Sequence, residues 1–216
     1  MARKRVAVLA SGRGSNLKAL LDAAKDPAYP AEISLLISNE PYAGAINMAA
    51  EAGAEVALIP HREQPSRQAF EIMVQTHILE SACDLVCLAG FMRIFSPKFV
   101  ELWHGKMLNI HPSLLPAFPG LHPQRQALKA GVRLSGCSVH FVNNELDGGP
   151  IIGQAAVPVA PDDSEESLAA RILAAEHELY PRCLALVAEG AIALDEAGQV
   201  RWNAREAEGS LVNPVG

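Results

Sequence analysis

The feature that most constrains this chain is an alternation: four times in its first half, a short apolar run gives way to a loop and then to a stretch of helical spacing. The runs are residues 6–10, 33–37, 56–59 and 85–89, and the stretches that follow are 15–25, 43–52, 68–81 and 97–103. Within the first stretch, Leu17, Leu20 and Leu21 fall on one helical face. Repeated strand-loop-helix units bring their strands together in parallel, with the connecting helices covering the sheet. The pattern therefore predicts an α/β fold, a mostly parallel twisted sheet with helices on both faces. A fifth run, 107–110, enters a segment crowded with Pro112, Pro116, Pro119 and Pro123, which reads as a stiff, ordered loop. Beyond it come a short helix at 124–130, strands at 134–142 and 151–159 around a Gly-rich turn, and a long helix at 164–188. Asp163 or Ser164 can cap that helix, with Glu165 and Glu166 where the helix dipole favours negative charge. One small hairpin around Glu196-Ala197-Gly198 is expected in the tail, residues 191–216.

Composition removes several classes of function. Half the residues are apolar or aromatic, enough for a core of ordinary size. A formal charge of −6 without long Lys/Arg runs lacks the electrostatic footprint of a nucleic-acid binder. Arg3-Lys4-Arg5 before an apolar run imitates a signal peptide, but the run breaks at once into Ser11-Gly12 and reads as a strand. No apolar stretch approaches the roughly 18 residues of a membrane helix, so a soluble, cytoplasmic protein is expected. Cys83, Cys87, Cys137 and Cys183 show neither a Cys-x-x-Cys pair nor a His at finger-like spacing. Zinc and disulfides are not expected, and the cysteines read as reduced, buried hydrophobes.

Two constellations carry chemistry. Ser11-Gly12-Arg13-Gly14-Ser15-Asn16 sits where the first strand turns into the first helix, so free backbone N–H groups and the helix dipole would meet an anion there. Leu17 stands where a dinucleotide fingerprint needs its third glycine, and no Walker Gly-Lys-Ser/Thr follows, so a single phosphate is expected. Ser15 and Asn16 would add side-chain donors. A tight turn alone would also explain the glycines.

Further on, Asn109 and His111 are two apart on a strand and project to the same side, at the carboxyl edge where open α/β sheets bind ligands. Leu146-Asp147-Gly148-Gly149-Pro150 places a carboxylate in a Gly-rich turn. If Asp147 reaches His111, the carboxylate favours the charged imidazole and the two form an acid-base device. Asn109 would join His111 in donating to a developing oxyanion. A buried structural His and a turn-forming Asp are the alternatives for each residue alone. Ser113 lacks a nucleophile elbow and Cys137 sits inside a strand, so transfer without a covalent enzyme intermediate is preferred. His61, His77, His104 and His177 read as surface or packing residues, and His122 and His140 stay open.

These residues, with Ala89-Gly90-Phe91-Met92-Arg93-Ile94, Asn109-Ile110-His111-Pro112-Ser113-Leu114-Leu115-Pro116, Pro119-Gly120-Leu121-His122 and Val139-His140-Phe141-Val142, closely resemble the folate-dependent phosphoribosylglycinamide formyltransferase family across roughly residues 5 to 190. The resemblance implies transfer of the formyl group of 10-formyltetrahydrofolate to the amino group of glycinamide ribonucleotide in purine biosynthesis, with no metal. Carried over by position, Asn109, His111 and Asp147 form the catalytic set. Gly14, Ser15, Asn16 and Glu176 bind the ribonucleotide. Arg67, Met92, Arg93, Ile94, Phe95, Asn109, Asn143, Asn144, Glu145, Leu146 and Asp147 line the folate pocket. A cis Leu115-Pro116 bond is implied as well. Two positions depart from the family's usual pattern: Gln124 replaces a frequent second His, and Phe95 replaces a common aliphatic.

The resulting expectation is one formyltransferase domain over residues 1–216, with a phosphate-binding half to about 105, a catalytic and folate-binding half over about 106–190, and the tail. It would act as a monomer or weak homodimer on small molecules alone. A 10-formyltetrahydrofolate hydrolase is the nearest rival, though such enzymes usually carry an N-terminal regulatory module, and a strand beginning by residue 5 leaves no room for one. Transfer-RNA formyltransferases need an extra basic domain. A non-catalytic sugar-phosphate-binding module would have no need of paired acid-base groups.

Overall fold

The computed structural model describes residues 2–195, 197–203 and 213. Seven strands form one sheet: β1 (Lys4–Ala10), β2 (Ala31–Ser38), β3 (Glu55–Leu58), β4 (Leu85–Leu88), β5 (Met107–His111), β6 (Leu134–Phe141) and β7 (Ile151–Pro158), in the order β3-β2-β1-β4-β5-β6-β7. The first five are parallel and the last two pair antiparallel, a Rossmann-like winding extended by a hairpin. This is the mostly parallel sheet that the alternation predicts. Crossovers are supplied by α1 (Ser15–Ala24), α2 (Gly44–Glu51), α3 (Arg67–Glu80) and α4 (Pro97–Leu102). After β5 come α5 (Pro123–Ala130) and the long α6 (Glu165–Ala188).

The period-two geometry of strands divides the core into two layers. Val6, Val8 and Ala10 of β1 face Leu17, Ala45 and Tyr180 on one side, while Ala7 and Leu9 face Phe70, Val74 and Phe99 on the other. Every strand residue from Val6 to Ala10 is fully buried, which explains why the run reads as continuous rather than alternating. Helix starts follow local chemistry. Ser66 caps α3 by accepting from Ala69 N at 3.1 Å, and Ser96 caps α4 from Phe99 N at 3.3 Å, with Pro97 just inside. Ser164, not Asp163, is the α6 cap, in a reciprocal box with Ser167; Asp163 instead holds Arg171 at 2.8 Å. Tyr180 pins α6 to the sheet by donating to the carbonyls of Leu88 and Leu108 at 3.0 and 3.2 Å.

The tail hairpin is present as β8 (Ile192–Leu194) paired with β9 (Val200–Trp202). Glu196 at its turn, and most of the tail after 203, lie outside the described residues. Leu115-Pro116 is cis. All four cysteines are free; Cys87, Cys137 and Cys183 are buried, whereas Cys83 is only half-buried, against the expectation for it. Burial pushes the Cys83 thiol to about 11 and the other three to about 12, which makes them unreactive. No helix among the described residues is long and apolar enough to cross a membrane.

Candidate active site

After β1 the chain winds outward to β2 and β3, then returns through α3 to β4 on the opposite side of β1, so the carboxyl ends of β1 and β4 flank a topological switch point. The site is built there. On the β1 side, Gly14 is the N-cap of α1 with φ of 83°, and a Cβ on it would lie 2.8 Å from the Ala45 Cα, so both backbone and packing demand glycine. The first backbone bond of α1 runs from Lys18 N to the Gly14 carbonyl at 2.8 Å and no side chain caps the helix, which leaves the N–H groups of Ser15, Asn16 and Leu17 free.

The Asn16 side-chain amide donates one N–H to Glu176 Oε2 at 2.7 Å and has a second N–H to offer beside its backbone N–H, while its Oδ1 is buried without a partner. Burial pushes the Glu176 carboxyl above the ordinary carboxylate range, and the Asn16 donation partly opposes that. Both residues line the main cleft, while Gly14 and Ser15 sit just outside its lining.

The antiparallel register of β5 on β6 composes the other side, setting Asn109 opposite His140 and His111 opposite Ser138. His111 is buried, its Nε2 donating to the Phe118 carbonyl at 3.0 Å and its Nδ1 3.4 Å from Asp147 Oδ2. That second distance exceeds the ~2.7–3.2 Å of a well-made hydrogen bond, so a hydrogen on Nδ1 is not consumed by the carboxylate. Asp147 stands in a left-handed turn at φ of 52°, and its Oδ2 accepts from Gly120 N at 2.8 Å, which fixes the acid against the imidazole. A Cβ on the neighbouring Gly149 would collide with the Phe141 carbonyl, so glycine is what lets this turn close on β6.

His140 was left open by sequence and belongs to the site. Its Nδ1 faces the carbonyl of Phe141 at 2.9 Å and must carry hydrogen, so a neutral ring presents its Nε2 lone pair to the Asn109 amide, whose Nδ2 donates at 3.1 Å. Desolvation holds the His140 pKa below the ordinary imidazole value, which agrees with a neutral ring. The second Asn109 N–H is then free for a ligand. No sequence signal short of the strand register could have paired these two residues.

The cleft they border encloses about 820 Å³ and is also lined by Arg67, Met92, Arg93, Ile94 and Phe95 from the β4 end and by Asn143, Asn144, Glu145 and Leu146 from the segment after β6. The residues that the resemblance assigns to the folate thus line one cleft from both halves of the chain. Met92 and Ile94 are 71% and 67% exposed, an apolar wall with nothing packed on it. Phe95 is mostly turned into the core, its ring stacked between Phe91 at 5.4 Å and Phe99 at 4.3 Å. That stack accommodates an aromatic where an aliphatic is common. His122, in the left-handed conformation before α5, lines the cleft as well. Among the described residues, no group of three or more His, Cys, Asp or Glu could hold a metal ion.

Comparison with known proteins bears on this arrangement. The formyl transferase family pattern matches residues 4–184. The chain is 53% identical over 192 residues to the trifunctional purine biosynthetic protein adenosine-3 of Drosophila pseudoobscura pseudoobscura, a match that covers 88% of this chain but 14% of that protein's length. It is 43% identical to the phosphoribosylglycinamide formyltransferase of Escherichia coli K12, covering 98% of this chain and 97% of the relative. The crystal structure of glycinamide ribonucleotide transformylase 1 from Symbiobacterium toebii superposes with a TM-score of 0.89 at 44% identity, covering 93% of this chain and 94% of that one.

Proposed function

The chain belongs to the formyl transferase family, and within it to the phosphoribosylglycinamide formyltransferases, and from that premise we propose that it moves the formyl group of 10-formyltetrahydrofolate onto the amino group of glycinamide ribonucleotide in purine biosynthesis. The loop at Gly14, Ser15 and Asn16, with the free N–H groups that open α1, takes the phosphate of the ribonucleotide, and Glu176 takes its ribose or glycinamide part. The apolar wall of Met92 and Ile94, with Arg93, Phe95, Arg67 at the rim and residues 143–147, takes the folate.

The uncharged amine attacks the formyl carbon held on the folate nitrogen. The carbonyl oxygen gains negative charge as a tetrahedral intermediate forms, and the free N–H of Asn109 and Nδ1–H of His111 donate to it, with the Asp147 carboxylate stabilising the charged imidazole. Asp147 also orders the water through which a proton leaves the attacking amine for the departing folate nitrogen. No covalent enzyme intermediate is needed. Ser113 donates its hydroxyl to the Ala117 carbonyl at 2.6 Å, and the Cys137 thiol is held neutral by burial.

The observation that carries this reading is the meeting of Asn109 and His111 of β5 with Asp147, from the turn after β6, on the wall of one cleft. Four free cysteines suit the reducing cytoplasm. Incubation with formyl-labelled 10-formyltetrahydrofolate tests the reaction: label should pass to glycinamide ribonucleotide, with little free formate when the ribonucleotide is absent. Rapid formate release without ribonucleotide would make the chain a hydrolase, and ribonucleotide binding without any transfer would make it a non-catalytic binding module.

A further inference from the structure

The loop between β5 and α5 is left-handed at every second residue from 118 to 122: Phe118 has φ of 57°, Gly120 of 76° and His122 of 56°. Phe118 and His122 are not glycine, so their conformation costs energy and persists only where the surroundings hold it. The same stretch governs both nitrogens of the His111 ring. The Phe118 carbonyl accepts from Nε2 at 3.0 Å, and the Gly120 N–H donates at 2.8 Å to Asp147 Oδ2, the oxygen 3.4 Å from Nδ1. A shift of this turn would move the imidazole and its carboxylate together.

One side chain fixes the turn. Gln126 reaches back from α5, and its Nε2 donates to the carbonyls of Pro119 and Leu121, both at 3.0 Å. A primary amide carries two N–H groups, so both carbonyls are served at once. The Pro119 carbonyl and the Gly120 N–H belong to one planar trans peptide unit and point opposite ways. A donor on the first therefore aims the second at Asp147. The helix that carries Gln126 is itself anchored, since Pro123 and Ala127 are buried and Arg125 pairs with Glu165 of α6 at 3.0 Å. Gly120, Leu121 and His122 line the main cleft, whereas Gln126 does not.

We infer that Gln126 is a positioning residue for formyl transfer: by holding the peptide between Pro119 and Gly120, it keeps Asp147 and His111 in their reacting arrangement. It touches neither substrate, so its effect falls on turnover rather than on binding. This inference rests on the reading of Asn109, His111 and Asp147 as the transfer centre.

The test compares Gln126→Met, Gln126→Glu and Gln126→Lys in steady-state kinetics across pH, with melting temperatures taken alongside. Met matches the length of Gln without a donor, ionised Glu keeps length and polarity but only accepts, and Lys restores N–H donors. With both substrates saturating at neutral pH, the Met and Glu variants should turn over roughly ten- to thirtyfold more slowly, the scale of two net hydrogen bonds. The Lys variant should recover much of that loss. Both KM values should stay within about twofold of the wild type. Weaker donation from Gly120 favours the protonated acid, so the acidic limb of the kcat profile should move to higher pH in the Met and Glu variants. The other titratable groups facing that carboxylate are His111 and His140, whose Nε2 stands 4.0 Å from Asp147 Oδ1. Wild-type kcat in the Met and Glu variants, an unmoved acidic limb, or a kcat that follows melting temperature regardless of donors overturns the inference. A wild type that transfers no formyl group to the ribonucleotide would instead bring down the reading of the site itself.

Discussion

The strands on the two sides of β4 make their contributions to the site in different ways. At β1 the chain offers an anion its backbone: a glycine that must be left-handed, a helix start with no side-chain cap, and three free N–H groups. At β5, β6 and the turn after β6 it offers side chains, an amide, two imidazoles and a carboxylate held in mutual contact. Backbone recognition needs only a local turn, whereas side-chain chemistry needs three segments to converge. The first half should therefore govern how tightly the ribonucleotide binds, and the second how fast the formyl group moves.

Substitutions in the second half should have the largest effect. Loss of one oxyanion donor typically costs on the order of 3 to 4 kcal/mol, so Asn109→Ala or His111→Ala should lower kcat by hundreds-fold, measured with both substrates saturating. Gly14→Ala should act on the other parameter. It combines an unfavourable φ with a clash on Ala45, so KM for the ribonucleotide should rise by about tenfold or more and stability should fall by about 1 to 3 kcal/mol. A fall in saturated kcat comparable to that of His111→Ala would break the division between the two halves.

His140→Ala sharpens it, because this residue is proposed to act only by aiming the Asn109 amide. The expected result is about a fivefold lower kcat with both KM values little changed, in keeping with one net hydrogen bond of about 1 kcal/mol. A neutral buried imidazole also contributes stability that is present above its ordinary pKa and lost as pH falls through the lowered folded value. The wild type should therefore lose more of its melting temperature on mild acidification than His140→Gln does.

Glu176→Gln should show the smallest effect on the fold, and the opposite sign. The Glu176 pKa is raised, so its favourable contribution is complete below the ordinary carboxyl value and is lost as pH rises through the folded value. Melting temperatures taken from about pH 4 to pH 8 should show the variant gaining on the wild type toward the alkaline end. A constant difference across that range would mean the carboxyl is not desolvated as its burial implies.

The unequal legibility of the two halves has the same cause. The conformation of the first loop could be read directly, because a turn that requires Gly14 also frees the helix N–H groups. Asn109 and His111 could be paired because strand side chains repeat every two residues. Their union with Asp147 came from the residues only as a conditional and otherwise from the family resemblance, since it depends on how the turn after β6 folds back and on Gly120 holding the acid. His140 lay beyond reach because its importance comes from antiparallel register, which a strand of almost wholly buried residues does not announce. The bond between Asn16 and Glu176 was out of reach for a related reason, because α6 brings the carboxylate against the loop from 160 residues away.

A crystal structure with glycinamide ribonucleotide and a non-transferring 10-formyl folate analogue would decide the matter most directly. The formyl oxygen should lie within hydrogen-bonding distance of both Asn109 Nδ2 and His111 Nδ1, with the phosphate on the N–H groups of Ser15 and Asn16. A folate bound with its formyl group remote from those two nitrogens would contradict the account.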